Sequence, residues 1–265
     1  MVFLIIASLY FSRWGFAGIF LLITVLGLWE FYTITTTEQS QPQKITGTIL
    51  GTIWYIFTAL IALKGDSGMI LYVGFFLLPF FFVPFLAEIF RKKPQPLFNI
   101  GITVLGITYV ALPLSLLNFL NFPEYASIFI HFSAILLGYF LITWLFDTGA
   151  YLFGKSFGKH KFFERISPKK TWEGILAGVI VAFSAAAGLS YISKGMLLTD
   201  WLGLTLIIIV FGTLGDLAES LLKRSLNLKD SGSILPGHGG ILDRFDTIFL
   251  SSPFVFLYFV LRFIF

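Results

Sequence analysis

The chain is written in long apolar runs. Stretches at about residues 1 to 11, 16 to 33, 45 to 63, 69 to 90, 97 to 120, 126 to 153, 172 to 192, 201 to 222 and 247 to 265 carry little charge. A helix needs about 20 apolar residues to cross ~30 Å of hydrocarbon, and in lipid each backbone N–H and C=O must be satisfied inside the protein. The pattern predicts an all-α polytopic integral membrane protein of about nine transmembrane helices. The first is short, cut from the second by Ser12, Arg13, Trp14 and Gly15, and reads as a half-span or the remainder of a longer helix. Composition agrees: of 265 residues 57% are hydrophobic and 12% charged, about half the charge of a soluble domain. Little sequence remains for a soluble domain, and no nucleic-acid partner is expected. The absence of cysteine removes disulfides and thiolate metal sites. No basic region precedes the first apolar run, so a cleavable signal peptide is not expected.

The basic residues are distributed unequally between alternate loops. If all nine runs cross, one side holds Lys44, Arg91 to Lys93, the six cations from Lys155 to Lys170, and Lys223, Arg224, Lys229 and Arg244, which make 14 of the 18. The other side holds Arg13, Lys64, Lys194 and Arg262. Cytoplasmic loops carry the excess of Lys and Arg, so the N-terminus and loops 154 to 171 and 223 to 246 are expected in the cytoplasm, with the C-terminus outside. Carboxylates from four consecutive helices then meet at one depth: Asp147, Glu173, the pair Asp216 and Glu219, and the pair Asp243 and Asp246. Charge at such a depth is costly, which makes function its default explanation.

Asp216, Glu219, Ser220 and Lys223 fall at i, i+3, i+4 and i+7, one stripe of a helix, and Asp243 and Asp246 are an i, i+3 pair on the next. Such carboxylates suit a hard cation that takes oxygen ligands and phosphate co-ligands. Gly232, Gly237, Gly239 and Gly240 permit close approach of backbone N–H groups to anionic oxygens. Lys169 and Lys170 precede Thr171 and Trp172 at a predicted helix N-terminus, where phosphate is favoured. Plainer readings stand beside these. Lys155, Lys159, Lys161 and Arg165 fit a loop touching anionic headgroups equally well, and Asp216 or Glu219 could pair with Lys223. His238, set among glycines and aspartates, reads as a phosphate or metal-shell residue. Glu30, Glu88 and His131 read as structural or interfacial.

The string from Ser220 to Asp246 resembles the signature of the phosphatidate cytidylyltransferase family. Ser220, Lys223, Arg224, Lys229, Asp230, Pro236, His238, Gly239, Gly240, Asp243, Arg244 and Asp246 stand in its order and spacing. The likeness continues upstream through DTGAY at 147 to 151, the GK and GKH of 154 to 160, SPKKTWEG at 167 to 174 and GDLAES at 215 to 220; the N-terminal third matches only in being hydrophobic. The resemblance implies that CTP and phosphatidic acid give CDP-diacylglycerol and pyrophosphate, with Mg²⁺ as cofactor in a two-ion arrangement. Asp216 and Asp243 are the expected metal ligands, with Asp147, Glu219 and Asp246 in reserve, and Asp216, Asp243, Asp246, Lys223 and Arg244 the expected catalytic set. Ser167, Lys169, Lys170, Thr171, Ser220, Arg224, Lys229, His238, Gly239 and Gly240 are the expected substrate contacts. Residues 1 to 125 would form a scaffold with lipid or dimer contacts, leaving monomer and homodimer both open, and residues 126 to 265 the catalytic region. The expected home is a bacterial inner membrane, with the site facing the cytoplasm. Gly174, Ala177, Gly178, Gly212 and Gly215 would allow close helix packing around a polar cavity open sideways to lipid. Alternatives are a cytidylyltransferase of an ether lipid phosphate, a CTP-dependent lipid kinase and an ion or metabolite transporter. The transporter predicts acids at mid-membrane and an inverted repeat, and neither is seen; nor is the aspartate-rich motif of a CDP-alcohol phosphotransferase.

Overall fold

The computed structural model describes residues 2–64, 79–121, 134–193, 196–232 and 239–264. The helices are α1 (Val2–Phe11), α2 (Arg13–Ile34), α3 (Lys44–Lys64), α4 (Val83–Arg91), α5 (Pro96–Leu116), α6 (Ala134–Phe157), α7 (Trp172–Ile192), α8 (Leu198–Ser225) and α9 (Leu242–Ile264). A two-stranded antiparallel hairpin, β1 (Lys161–Phe163) and β2 (Ser167–Thr171), interrupts this helical chain. Among the described residues seven helices are long and apolar enough to cross a membrane: α2, α3, α5, α6, α7, α8 and α9. The protein is therefore an all-α polytopic membrane protein. Of the nine expected spans, the first is a ten-residue helix, and most of the run at 69 to 90 lies outside the described residues.

The chain divides into two compact units. One comprises Arg13–Phe119 with Leu226–Phe245, the other Met1–Ser12, Leu120–Ser225 and Asp246–Phe265. In the first unit, buried Phe16, Phe20, Leu28 and Phe31 of α2 share a core with Tyr55 of α3, Val110 and Leu114 of α5, and Ile241 and Phe245. Tyr32 donates to the Thr103 carbonyl at 2.6 Å, and its ring fills the space that a side chain at Gly47 or Gly106 would take. Proline opens both α4 and α5, where its missing N–H costs nothing. Between them Lys92 and Gln95 take left-handed backbone angles (φ 50° and 52°), which stops one helix and redirects the chain into the next.

In the second unit α6 and α7 approach until backbones touch. A side chain at Gly174 would sit 2.5 Å from the Ala150 carbonyl oxygen, and one at Gly178 2.9 Å from that of Phe146. Small residues permit this contact, which in lipid replaces the hydrophobic drive to associate. Gly174, Gly178, Ala182 and Ala186 are the buried residues of α7, a stripe at every fourth position; Ala177 lies off it, partly exposed. Gly212 abuts Thr247, and Gly215 abuts the Asp246 carbonyl. A π-helical turn at Ile208–Gly212 precedes the acidic end of α8, a widening that frequently accompanies functional sites. At the other end of α8, Asp200 holds Arg262 of α9 at 2.8 Å.

Candidate active site

The second unit contains a cavity of about 660 Å³. Its wall is drawn from the upstream motifs. Asp147, Tyr151 and Lys155 come from α6, Lys161 from β1, Ser167, Lys169, Lys170 and Thr171 from β2, and Thr213 and Asp216 from α8. Local chemistry explains how the hairpin is held. Thr171 caps α7 by accepting from the Gly174 amide at 3.3 Å. Glu173, in the first turn of α7, accepts from the backbone of Lys159 at 3.1 Å and stands 2.6 Å from His160 Nδ1. The hairpin is thus fastened at the start of one helix and the end of another, with its lysines on the cavity wall.

Lys170 forms an ion pair with Asp216, and the Ser220 hydroxyl stands 3.4 Å from the same carboxylate. Among the described residues Lys155, Lys161 and Lys169 have no carboxylate partner. The cavity therefore carries an excess of positive charge. Thr213, one turn before Asp216, has a buried hydroxyl with no hydrogen-bond partner, and it too is on the wall. A donor left unmatched in a polar cavity is a place for a ligand oxygen.

Further acids gather nearby. Asp216, Asp147 and Glu219 all act electrostatically on Asp246, and Lys170 on Asp147. Glu219, 1% exposed, pairs with Lys223 at 2.6 Å along α8, and Asp246 accepts from the Thr247 amide at 2.7 Å. Among the described residues no three acid or histidine side chains stand close enough to hold one ion as they lie. The donor set nevertheless fits a hard cation: it is all carboxylate oxygen, and an alkylammonium already neutralises Asp216 where a metal would.

The signature string is divided between the two units: Ser220, Lys223, Arg224 and Asp246 belong to the second, Lys229 to Arg244 to the first. Arg224, Lys229, Asp230 and Arg244 are exposed. Pro236, Gly237 and His238 lie outside the described residues, as does His131. Asp243 Oδ2 accepts from the amides of Ser231 and Gly240, each at 3.0 Å. Glu30, at 2% exposure, accepts from the Ile241 amide at 2.8 Å and the Leu242 amide at 3.1 Å. The Ser231 hydroxyl donates to Glu30 Oε1 at 2.5 Å and lies 3.0 Å from Asp243 Oδ2. Gly239 has φ +79°, favourable only to glycine, and a side chain at Gly240 would collide with Glu30 and Ser231. The anionic oxygens that these amides meet are the protein's own. Glu30, which reads in sequence as structural or interfacial, is structural: it holds the start of α9. Thr213 is not among the residues the sequence singles out, and its i, i+3 spacing to Asp216 is the signal that could have found it.

Residues 1–262 match the sequence profile of the cytidylyltransferase family, and the chain belongs to that family. It is 30% identical to the phosphatidate cytidylyltransferase of Haemophilus influenzae over 277 residues, covering 96% of this chain and 94% of that protein. The phosphatidate cytidylyltransferase of Staphylococcus aureus (strain COL) is 46% identical over 151 residues, 57% of this chain and 55% of that one. That of Bacillus subtilis (strain 168) is 40% identical over 165 residues, 62% and 58% respectively. The chain spans a little over half the length of these last two relatives.

Proposed function

We propose that the chain is a phosphatidate cytidylyltransferase, joining CTP and phosphatidic acid into CDP-diacylglycerol and pyrophosphate at the cytoplasmic face of a bacterial inner membrane. The observation that carries this reading is the cavity built from family motifs, whose lysines outnumber their carboxylate partners. A lipid phosphate and a triphosphate repel each other, and cations without protein partners offset that repulsion at the point of encounter. Family membership and the names of the three relatives support the same substrates.

The reaction asks little proton chemistry of the protein. A lipid phosphate is anionic near neutral pH, so one of its oxygens attacks the α-phosphorus of CTP without a general base. The α–β phosphoanhydride bond breaks, and its electron pair leaves on pyrophosphate. Positioning and charge neutralisation remain as the work of the site. Lys155, Lys161 and Lys169 bind phosphate oxygens, while Ser167, Thr171 and Thr213 supply neutral hydroxyls. Lys170, held by Asp216, is aimed rather than mobile. Ser220, Arg224, Lys229, His238, Gly239 and Gly240 complete the proposed substrate contacts, with Lys223 and Arg244 on the leaving phosphates. Mg²⁺ would be held by Asp216 and Asp243, with Asp147, Glu219 and Asp246 in support, and would neutralise charge on the transferring and leaving phosphates. Tyr151, on the cavity wall and 66% exposed, fits an apolar rim along which acyl chains stay in lipid.

The test is CTP-dependent pyrophosphate release by purified protein. Phosphatidic acid is expected to support it, with CDP-diacylglycerol as lipid product. CDP release with a newly phosphorylated lipid would indicate a kinase, faster turnover of an ether-linked lipid phosphate would reassign the substrate, and no CTP consumption would overturn the reading.

A further inference from the structure

Helix α4, entered from a 3-10 turn at Pro79–Phe82, ends at Arg91 and exposes Phe85, Leu86, Ile89 and Phe90, the last at 83%. Its inward side is fixed by polar contacts. Glu88 accepts from Gln43 Nε2 at 2.6 Å, Asn99 Nδ2 at 2.9 Å and Arg91 Nη1 at 2.7 Å, and Arg91 Nη2 donates to the Gln41 carbonyl at 2.9 Å. Gln43 immediately precedes the membrane-length helix α3, and Asn99 lies in the first turn of α5. α2 ends at the same level, where Lys44 Nζ reaches Thr33 Oγ1 at 2.6 Å. The contacts therefore pin α4 at the plane where three spans begin or end, which is the depth of lipid headgroups. One turn back along α2, Glu30 holds Ser231 and the start of α9. Within this unit α4 and the signature segment share one face.

Lys92 and Lys93 follow the helix. Both are exposed, and neither has a carboxylate partner among the described residues. A helix end with aromatic and aliphatic residues outward at headgroup depth, followed by cations, has the chemistry to hold anionic headgroups. Such cations near that surface strengthen the attraction to anionic lipid.

We propose that α4 and the Lys92–Lys93 pair form a docking element for anionic phospholipid headgroups of the membrane. Phe85, Leu86, Ile89 and Phe90 enter the acyl boundary while the two ammonium groups meet headgroup phosphate. The consequence for catalysis rests on the proposed function: anionic lipid, the substrate included, is enriched on the face that carries the signature segment. The binding itself does not rest on it.

The experiment uses the full chain in phosphatidylcholine nanodiscs containing phosphatidylglycerol, an anionic lipid without the terminal phosphate monoester. Retention of phosphatidylglycerol is read by native mass spectrometry. The double variant Lys92→Gln/Lys93→Gln is expected to retain it about 10- to 30-fold less strongly at low salt, and high salt should remove the difference from wild type. Lys64→Gln, at the opposite end of α3, should match wild type. In the pyrophosphate assay the double variant should raise the KM for phosphatidic acid with kcat unchanged. Retention equal to wild type at low salt, or an equal loss in Lys64→Gln, overturns the proposal. Loss of pyrophosphate release in the wild type instead overturns the function and leaves the retention result standing.

Discussion

Asp216 has an ammonium on one side and a hydroxyl on the other, and both partners come from family motifs. An aspartate so placed can aim Lys170 at a phosphate or give up its partner to a metal, and both roles need the negative charge. Asp216→Asn is expected to lower kcat by about 10²- to 10³-fold, the scale of losing one preorganised charge contact, while the protein extracts and melts normally. Lys169 has no carboxylate partner among the described residues, so Lys169→Gln should act mainly on the KM for CTP or lipid; steady-state kinetics against each substrate separates the two. Glu30 belongs to a different class. It accepts from two backbone amides at the start of α9, so Glu30→Gln should cost about 1–3 kcal/mol of stability, seen as a lower melting temperature in detergent. In sequence that carboxylate reads as structural or interfacial, but what it holds is not legible there. Its partners lie some 200 residues away in the chain, and no local pattern announces such a pairing.

Among elements, the α6–α7 pair depends on the absence of side chains. Gly174→Leu drives a side chain into the Ala150 carbonyl and should destabilise by roughly 1–3 kcal/mol. Because the same residue donates its amide to the cap Thr171, activity should fall with stability, whereas Leu176→Ala on the exposed face of α7 should leave turnover near wild type. For α4 the sensitive group is Glu88. Burial opposes its charge, but hydrogen bonds from Asn99, Arg91 and Gln43 and the Arg91 charge prevail and hold the carboxyl below its ordinary value. A carboxyl depressed in the folded state stabilises the fold above its unfolded pKa and loses that contribution as pH falls through the folded one. Wild type should therefore melt above Glu88→Gln at neutral pH, and the gap should close in acid. Helix existence was legible for the described spans, as was the start of α7 at Trp172 after Thr171, whereas α8 and α9 begin three and five residues before their apolar runs, at Leu198 and Leu242. The π-helical turn in α8 was not legible, since it leaves the hydrophobic pattern unbroken, and nor was the hairpin β1–β2, whose strands of three and five residues in a basic loop are too short for a periodic signal.

For the molecule as a whole, the excess of basic residues on one set of loops predicts a cytoplasmic site. The chain has no cysteine, so single introduced thiols report cleanly. Ser231 would be the obvious position within the signature loop, but it is 2% exposed and hydrogen-bonded to Glu30. Ser225, exposed at the end of α8, is the better probe. Ser225→Cys should resist an impermeant maleimide in intact cells and react in inverted vesicles; labelling from outside would reverse the orientation. The amino-acid sequence determined by itself that this chain lives in lipid, because hydrocarbon thickness and backbone satisfaction act on each run separately. It likewise displayed the family signature, because that string is contiguous. Tertiary structure alone decided which groups share a space: that β2 brings Lys170 to Asp216, that Thr213 faces a cavity, and that Glu30 closes the start of α9. Those pairings join residues far apart in the chain, and packing sets them rather than periodicity.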